Sequence, residues 1–129
     1  MDGLKEVKYP GFRPLRRKGR VAYTIVDAKV FFSGLTHFTE ATSTINDAEG
    51  VVKAICQAEG LDWQKCQFYD IQTHQGYKKS PGEYCVDRLK VVSRQERGSE
   101  VLRVKAWHPI KPEEISPDVL ELFKPLIDS

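Results

Sequence analysis

Two runs of alternating apolar and polar residues, 83–94 and 100–108, flank the dipeptide Arg97-Gly98. No other feature constrains the fold of this chain so tightly. Successive side chains of a strand point to opposite faces, so a period of two assigns one set to a core and the other to its reverse. Gly98 permits the left-handed backbone that a two-residue hairpin turn requires. With the turn centred on Arg97-Gly98, facing residue numbers sum to 195. Ser93 then faces Leu102, Val91 faces Val104, Leu89 faces Ala106 and Asp87 faces His108. The reverse face pairs Arg94 with Val101, Val92 with Arg103, Lys90 with Lys105 and Arg88 with Trp107. A slip of one residue would exchange the faces, so the pattern specifies the register.

The other elements follow from shorter signals. Val21–Val26 and Lys29–Phe32 are rich in β-branched and aromatic residues, separated by Asp27-Ala28. They form either one bulged strand or a tight hairpin. Residues 46–59 read as a helix, because Ala48, Val51, Val52 and Ile55 recur at helical spacing. Thr44 or Asn46 is its candidate cap, and Glu49 with Lys53 is a favourable i,i+4 pair. Gly60 and Leu61 suit a Schellman ending. Residues 62–65 read as a turn, and 66–73 as a strand with Phe68, Tyr69 and Ile71 as its apolar content. Residues 74–82 are turn-rich. Ser116-Pro117-Asp118 opens a second helix, with Val119, Leu120 and Phe123 on its apolar face and Pro125 limiting it. The expected fold is therefore α+β: a mainly antiparallel sheet of four to five strands with two helices packed on one face. Residues 1–20, which hold two prolines and three glycines, read as a basic, loop-like arm. Residues 21–129 read as a single α+β domain.

Composition excludes several classes. Nothing approaches the roughly 20 apolar residues of a membrane span, and no apolar core of a secretory signal is present. The three cysteines are odd in number and lack the CxxC spacing of a zinc or redox motif. They read as reduced thiols in a cytoplasmic protein, with no cofactor and no metal expected. The formal charge of +2 conceals a division. Residues 1–20 hold seven bases and two acids, whereas residues 21–129 hold thirteen bases and sixteen acids.

Function is read from three constellations. The outward hairpin face presents Arg88, Lys90, Arg94, Arg103, Lys105, Trp107 and Tyr84. Cations suit phosphates and flat rings suit unstacked bases, so such a face fits single-stranded nucleic acid or an acidic protein surface. The bland reading is a solvated sheet face whose cationic chains discourage edge association. Lys90 opposite Lys105 is unfavourable, so either the register departs from the ideal there or the face meets anions. No GxxG clamp or RNP-type aromatic strand is present, and the isoelectric point of 8.4 is below that of strongly basic nucleic-acid-binding domains. The second constellation is catalytic: His74 or His108 with Asp70, Asp87 or Glu83, since a carboxylate beside an imidazole supports acid–base chemistry. It matches no hydrolase, nuclease or nucleotide-loop motif. The third is an excess of large aromatics (Trp63, Trp107, Tyr77, Phe31, Phe32), either core or interface anchors. The expectation is a non-enzymatic accessory or regulatory binding protein using the basic sheet face. The small enzyme is its alternative. No membrane partner is expected, and a homodimer is compatible with the sequence.

Overall fold

The computed structural model of the chain describes residues 3–8, 20–33, 44–72 and 85–127. Its local geometry begins with two tight turns. Strands β2 (Arg20–Val26) and β3 (Lys29–Ser33) are joined by Asp27 and Ala28, which both have positive φ, 50° and 63°. That is the backbone of a two-residue turn matched to strand twist, and it makes this segment a hairpin rather than a bulged strand. Strands β5 (Cys85–Glu96) and β6 (Ser99–Ile110) are joined by Arg97 (φ 52°) and Gly98 (φ 79°), at the position the alternation predicted.

The described strands form one sheet, in chain order. Strand β1 (Lys5–Lys8) pairs with β2, β2 with β3, β4 (Gln67–Gln72) with β5, and β5 with β6, all antiparallel. Among the described strands only β3 and β4 are parallel, and helix α1 (Thr44–Glu59) makes the crossover between them. The class is α+β with a mostly antiparallel sheet and two helices, the second being α2 (Pro117–Ile127). Among the described residues the sheet has six strands, where four to five were expected. One additional strand lies within residues 1–20, expected to be loop-like: Lys5–Lys8 pairs along β2 and buries Val7 in the core. Four residues were too few to show an alternation there.

The core lies on both sides of the sheet. Val30, Phe32, Phe68 and Leu89 pack with Ala48, Val51, Val52 and Ile55 of α1. The intervening residues Phe31, Tyr69 and Ile71, with Val86, pack with Val119 and Phe123 of α2. Alternate residues of one strand face opposite ways, so the helices cover opposite faces. The expectation of both on one face gives way here. The contiguous apolar runs Val30-Phe31-Phe32 and Phe68-Tyr69 are the mark of strands buried on both sides.

Helix α1 spans the sheet from edge to edge. Its sixteen residues measure about 24 Å, as do six strands at roughly 4.8 Å spacing. Glutamates fasten it at both ends. Glu49 accepts hydrogen bonds from the Val104 backbone N–H (3.1 Å) and Arg103 (3.2 Å) on β6. Glu59 accepts from Lys5 (2.9 Å) on β1 and Tyr23 (3.2 Å) on β2. Glu49, expected to serve a local pair with Lys53, is thus committed to the sheet. The helix starts at Thr44, two residues earlier than expected, and ends as its sequence suggested. Gly60 has φ 65°, and the Leu61 N–H donates to the Cys56 carbonyl at 3.0 Å. Helix α2 begins at Pro117 and carries Pro125 inside its last turn rather than stopping before it.

Candidate functional site

The register of the β5–β6 hairpin positions every candidate on it. From the turn inward, Arg94 pairs with Val101, Ser93 with Leu102, Val92 with Arg103 and Val91 with Val104. These are the expected pairs. Between Lys90 and Val91 the register shifts by one residue. Lys90 then pairs with Ala106, Leu89 with Trp107, Arg88 with His108 and Asp87 with Pro109. Lys105 is the extra residue of a β-bulge. Lys90 and Lys105 are therefore not register partners. Nor are Asp87 and His108, the expected pair, and Trp107 takes the register position opposite Leu89 instead of Arg88.

Strand alternation now sorts the charges. Asp87 is the register partner of Asp70 on β4, and both stand on the α1 side with Phe68 and Leu89. Arg88 and His108 face each other on the α2 side, with Lys90 two residues along. His108 therefore lies across the sheet from both aspartates, and the expected grouping of His108 with Asp70 or Asp87 does not form. His74, Glu83 and Tyr84 lie outside the described residues, as do Tyr77, Lys78, Lys79, His37 and the arm from 9 to 19.

Asp70 is 3 % exposed, and its Oδ1 has no hydrogen-bond partner among the described residues. Burial pushes its carboxyl well above the usual carboxylate range, and the charge of Asp87 adds to the rise. Among the described residues no imidazole is brought to Asp70.

On the α2 side, the apolar patch ends at Val86, and the next two alternate residues of β5, Arg88 and Lys90, are cationic. Arg88, Lys90 and Arg94 are exposed on β5, and Lys105 and His108 are exposed on β6. None of the five makes an ion pair with another described residue. Arg103 differs. It donates to Glu49 and bridges to Glu96 at 2.8 Å, so its charge is met within the fold. The side chain of Trp107 is outside the described set.

Strand β4 starts at Gln67, whereas β5 continues outward for seven residues past its last pair with β4, Leu89 opposite Phe68. The chain entering β4 makes a single 3-10 turn, Trp63–Lys65, capped by the Asp62 side chain, which accepts from the Gln64 N–H at 3.1 Å. A groove of about 490 Å³ is left beside this turn. Trp63, Gln64 and Gln67 line it together with Arg88, Lys90 and His108, and among the described residues no carboxylate does. Gln67 is held from behind, its Oε1 accepting from the Tyr69 hydroxyl at 2.8 Å. Tyr69 in turn stacks on Phe31, with ring centroids 5.1 Å apart.

The sequence pattern indicated Arg88 and Lys90. It missed His108 as a member of the basic group, because the bulge changes its neighbours. It also missed Gln64 and Gln67, whose only signal was their nearness to Trp63. Cys56 and Cys66 are free thiols. Burial, with smaller contributions from Cys66 and Asp62, raises the Cys56 thiol to about 11, and burial also raises Cys66. Thiols held protonated are poor nucleophiles and metal ligands. Among the described residues no helix is long and apolar enough to cross a membrane. No family model matches the chain, and no curated protein and no solved structure matches it.

Proposed function

We propose that this chain is a non-enzymatic, cytoplasmic accessory or regulatory binding protein, and that the basic strip on the hairpin contacts a polyanion, either nucleic acid or an acidic protein surface. The observation that carries this reading is the Arg88–His108 pair with Lys90 beside it. Three cationic or proton-accepting side chains share one exposed face, and none has a carboxylate partner among the described residues. A solvated surface commonly interleaves both signs of charge. Here two nearby acids, Glu49 and Glu96, are paired with Arg103. Arg94 extends the strip toward the hairpin tip.

Such a surface recognises its partner through released counterions, so affinity depends strongly on salt. The expected outcome is binding to a single-stranded oligonucleotide or to an oligoglutamate that weakens at least tenfold between about 50 and 200 mM salt. Lys90→Glu should weaken it further without changing the unfolding temperature, since the side chain is exposed. Fluorescence anisotropy measures the first and a thermal melt the second. Absence of binding to both polymers at low salt, or indifference to Lys90→Glu, would contradict the proposal.

A further inference from the structure

We infer that the groove between the Trp63–Lys65 turn and the hairpin seats one nucleotide of a single-stranded nucleic acid, its base against Trp63 and its phosphate among Arg88, Lys90 and His108. This rests on the polyanion reading and narrows it to one of its two partner classes.

Three features of the groove favour a nucleotide over an acidic peptide. The first is the conjunction of an indole with cations. A carboxylate side chain carries no flat ring, so an acidic peptide would use the cations and leave Trp63 without a role. A nucleotide uses both, because every base has a face that stacks on an aromatic ring while the backbone tracks a basic groove. The second is the pair of amides, Gln64 and Gln67. Each amide offers a donor and an acceptor on one planar group, the combination that base edges display. Gln67 is already oriented by Tyr69, whose hydroxyl occupies its oxygen at 2.8 Å. Its amide nitrogen can therefore donate toward a carbonyl of a base. The third is size: about 490 Å³ is within the range of small-molecule sites, roughly 300–1,000 Å³. Trp63 is half-buried, packing in part against the α1-side core while it lines the groove.

The outward half of β5 makes the site continuous with a longer path. Arg94 stands on the same face, four residues beyond Lys90, about 13 Å along the strand. That is roughly the reach of two further nucleotides, so the surface suits a strand rather than a free mononucleotide.

The test uses the full chain carrying Trp107→Phe, which leaves Trp63 as its single indole. It is titrated with a short oligouridylate and, in parallel, with an oligoglutamate of equal length. Stacking predicts that oligouridylate quenches Trp63 fluorescence and oligoglutamate does not. Trp63→Leu in the unmodified chain should lower oligouridylate affinity roughly 5- to 150-fold and leave any oligoglutamate binding unchanged. Gln64→Ala, at an exposed position, provides a variant whose folding is not at issue, and it should lower oligouridylate affinity by a smaller factor. If oligouridylate binds without quenching Trp63 and without responding to Gln64→Ala, the groove assignment is wrong while the polyanion reading stands. Binding of oligoglutamate in preference to oligouridylate has the same consequence and identifies an acidic protein as the partner. If neither polymer binds at about 50 mM salt, both readings fall together.

Discussion

Among the described residues, Asp70 is the one charged side chain that folding buries. Its carboxyl is buried, one oxygen lacks a partner among the described residues, and Asp87 occupies the neighbouring register position. Its proton is therefore held more tightly in the folded chain than in the unfolded one. A carboxyl with a raised folded value contributes stability below its unfolded value, about 3.9, and loses that contribution as pH rises through the folded value. Stability should accordingly fall as pH increases above about 4. Asp70→Asn, which cannot ionise, should flatten that slope and raise the unfolding free energy at neutral pH by at least about 1 kcal/mol. Urea unfolding of both proteins at mildly acidic and mildly alkaline pH measures this, and parallel slopes would contradict it. The sequence marked Asp70 only as a candidate partner of His74 or His108. Its burial and its proximity to Asp87 arise from the pairing of β4 with β5, which no local pattern around Asp70 displays.

The same distinction appears in the elements. Alternation around Arg97-Gly98 was sufficient to place the turn and the outer four pairs of the hairpin, because a two-residue turn allows a single register. It could not place the bulge. One extra residue, Lys105, leaves the outer pairs intact and displaces every pair from Lys90 inward. An insertion of this kind leaves no compositional trace, and it alone decides that Arg88 meets His108. The β2–β3 turn was left open between two geometries for a related reason: Asp27-Ala28 lacks the glycine that usually declares a left-handed turn. Ala28 holds φ 63°, a conformation that costs a residue with a Cβ roughly 1 kcal/mol or more. Ala28→Gly should therefore stabilise the chain by about 0.5–1 kcal/mol. A denaturation midpoint that moves the other way would exclude a left-handed residue at this turn.

At the scale of the whole molecule, the sheet is a layer between two helices. Phe123 of α2 is fully buried with Phe31, Tyr69, Ile71 and Val86. It contributes to a core that α1 does not touch. Phe123→Ala should cost about 3–5 kcal/mol and expose the α2 side of the sheet, detected as dye binding to apolar surface. A loss below about 1 kcal/mol, the level of an ordinary surface substitution, would mean that α2 does not form this layer. The arrangement also bounds the basic strip. Helix α2 takes the face as far as Val86, and Arg88, Lys90 and Arg94 begin where it ends.

By itself, the sequence determined what depends on neighbours along the chain. It set the class, the periodicity of the strands, the Schellman end of α1, the turn at Arg97-Gly98 and the presence of cations on alternate positions of β5. These follow from dihedral preferences and side-chain spacing, which act over a few residues. The tertiary structure alone decided which faces the helices cover, that Glu49 and Glu59 fasten α1 across the sheet, that Arg103 is neutralised while no described acid pairs with Arg88 or Lys90, and that Trp63 lines a groove with them. Each of these is a contact between segments tens of residues apart. Such contacts are chosen by burying both sides of the sheet at once, a condition on the whole chain that no single stretch expresses.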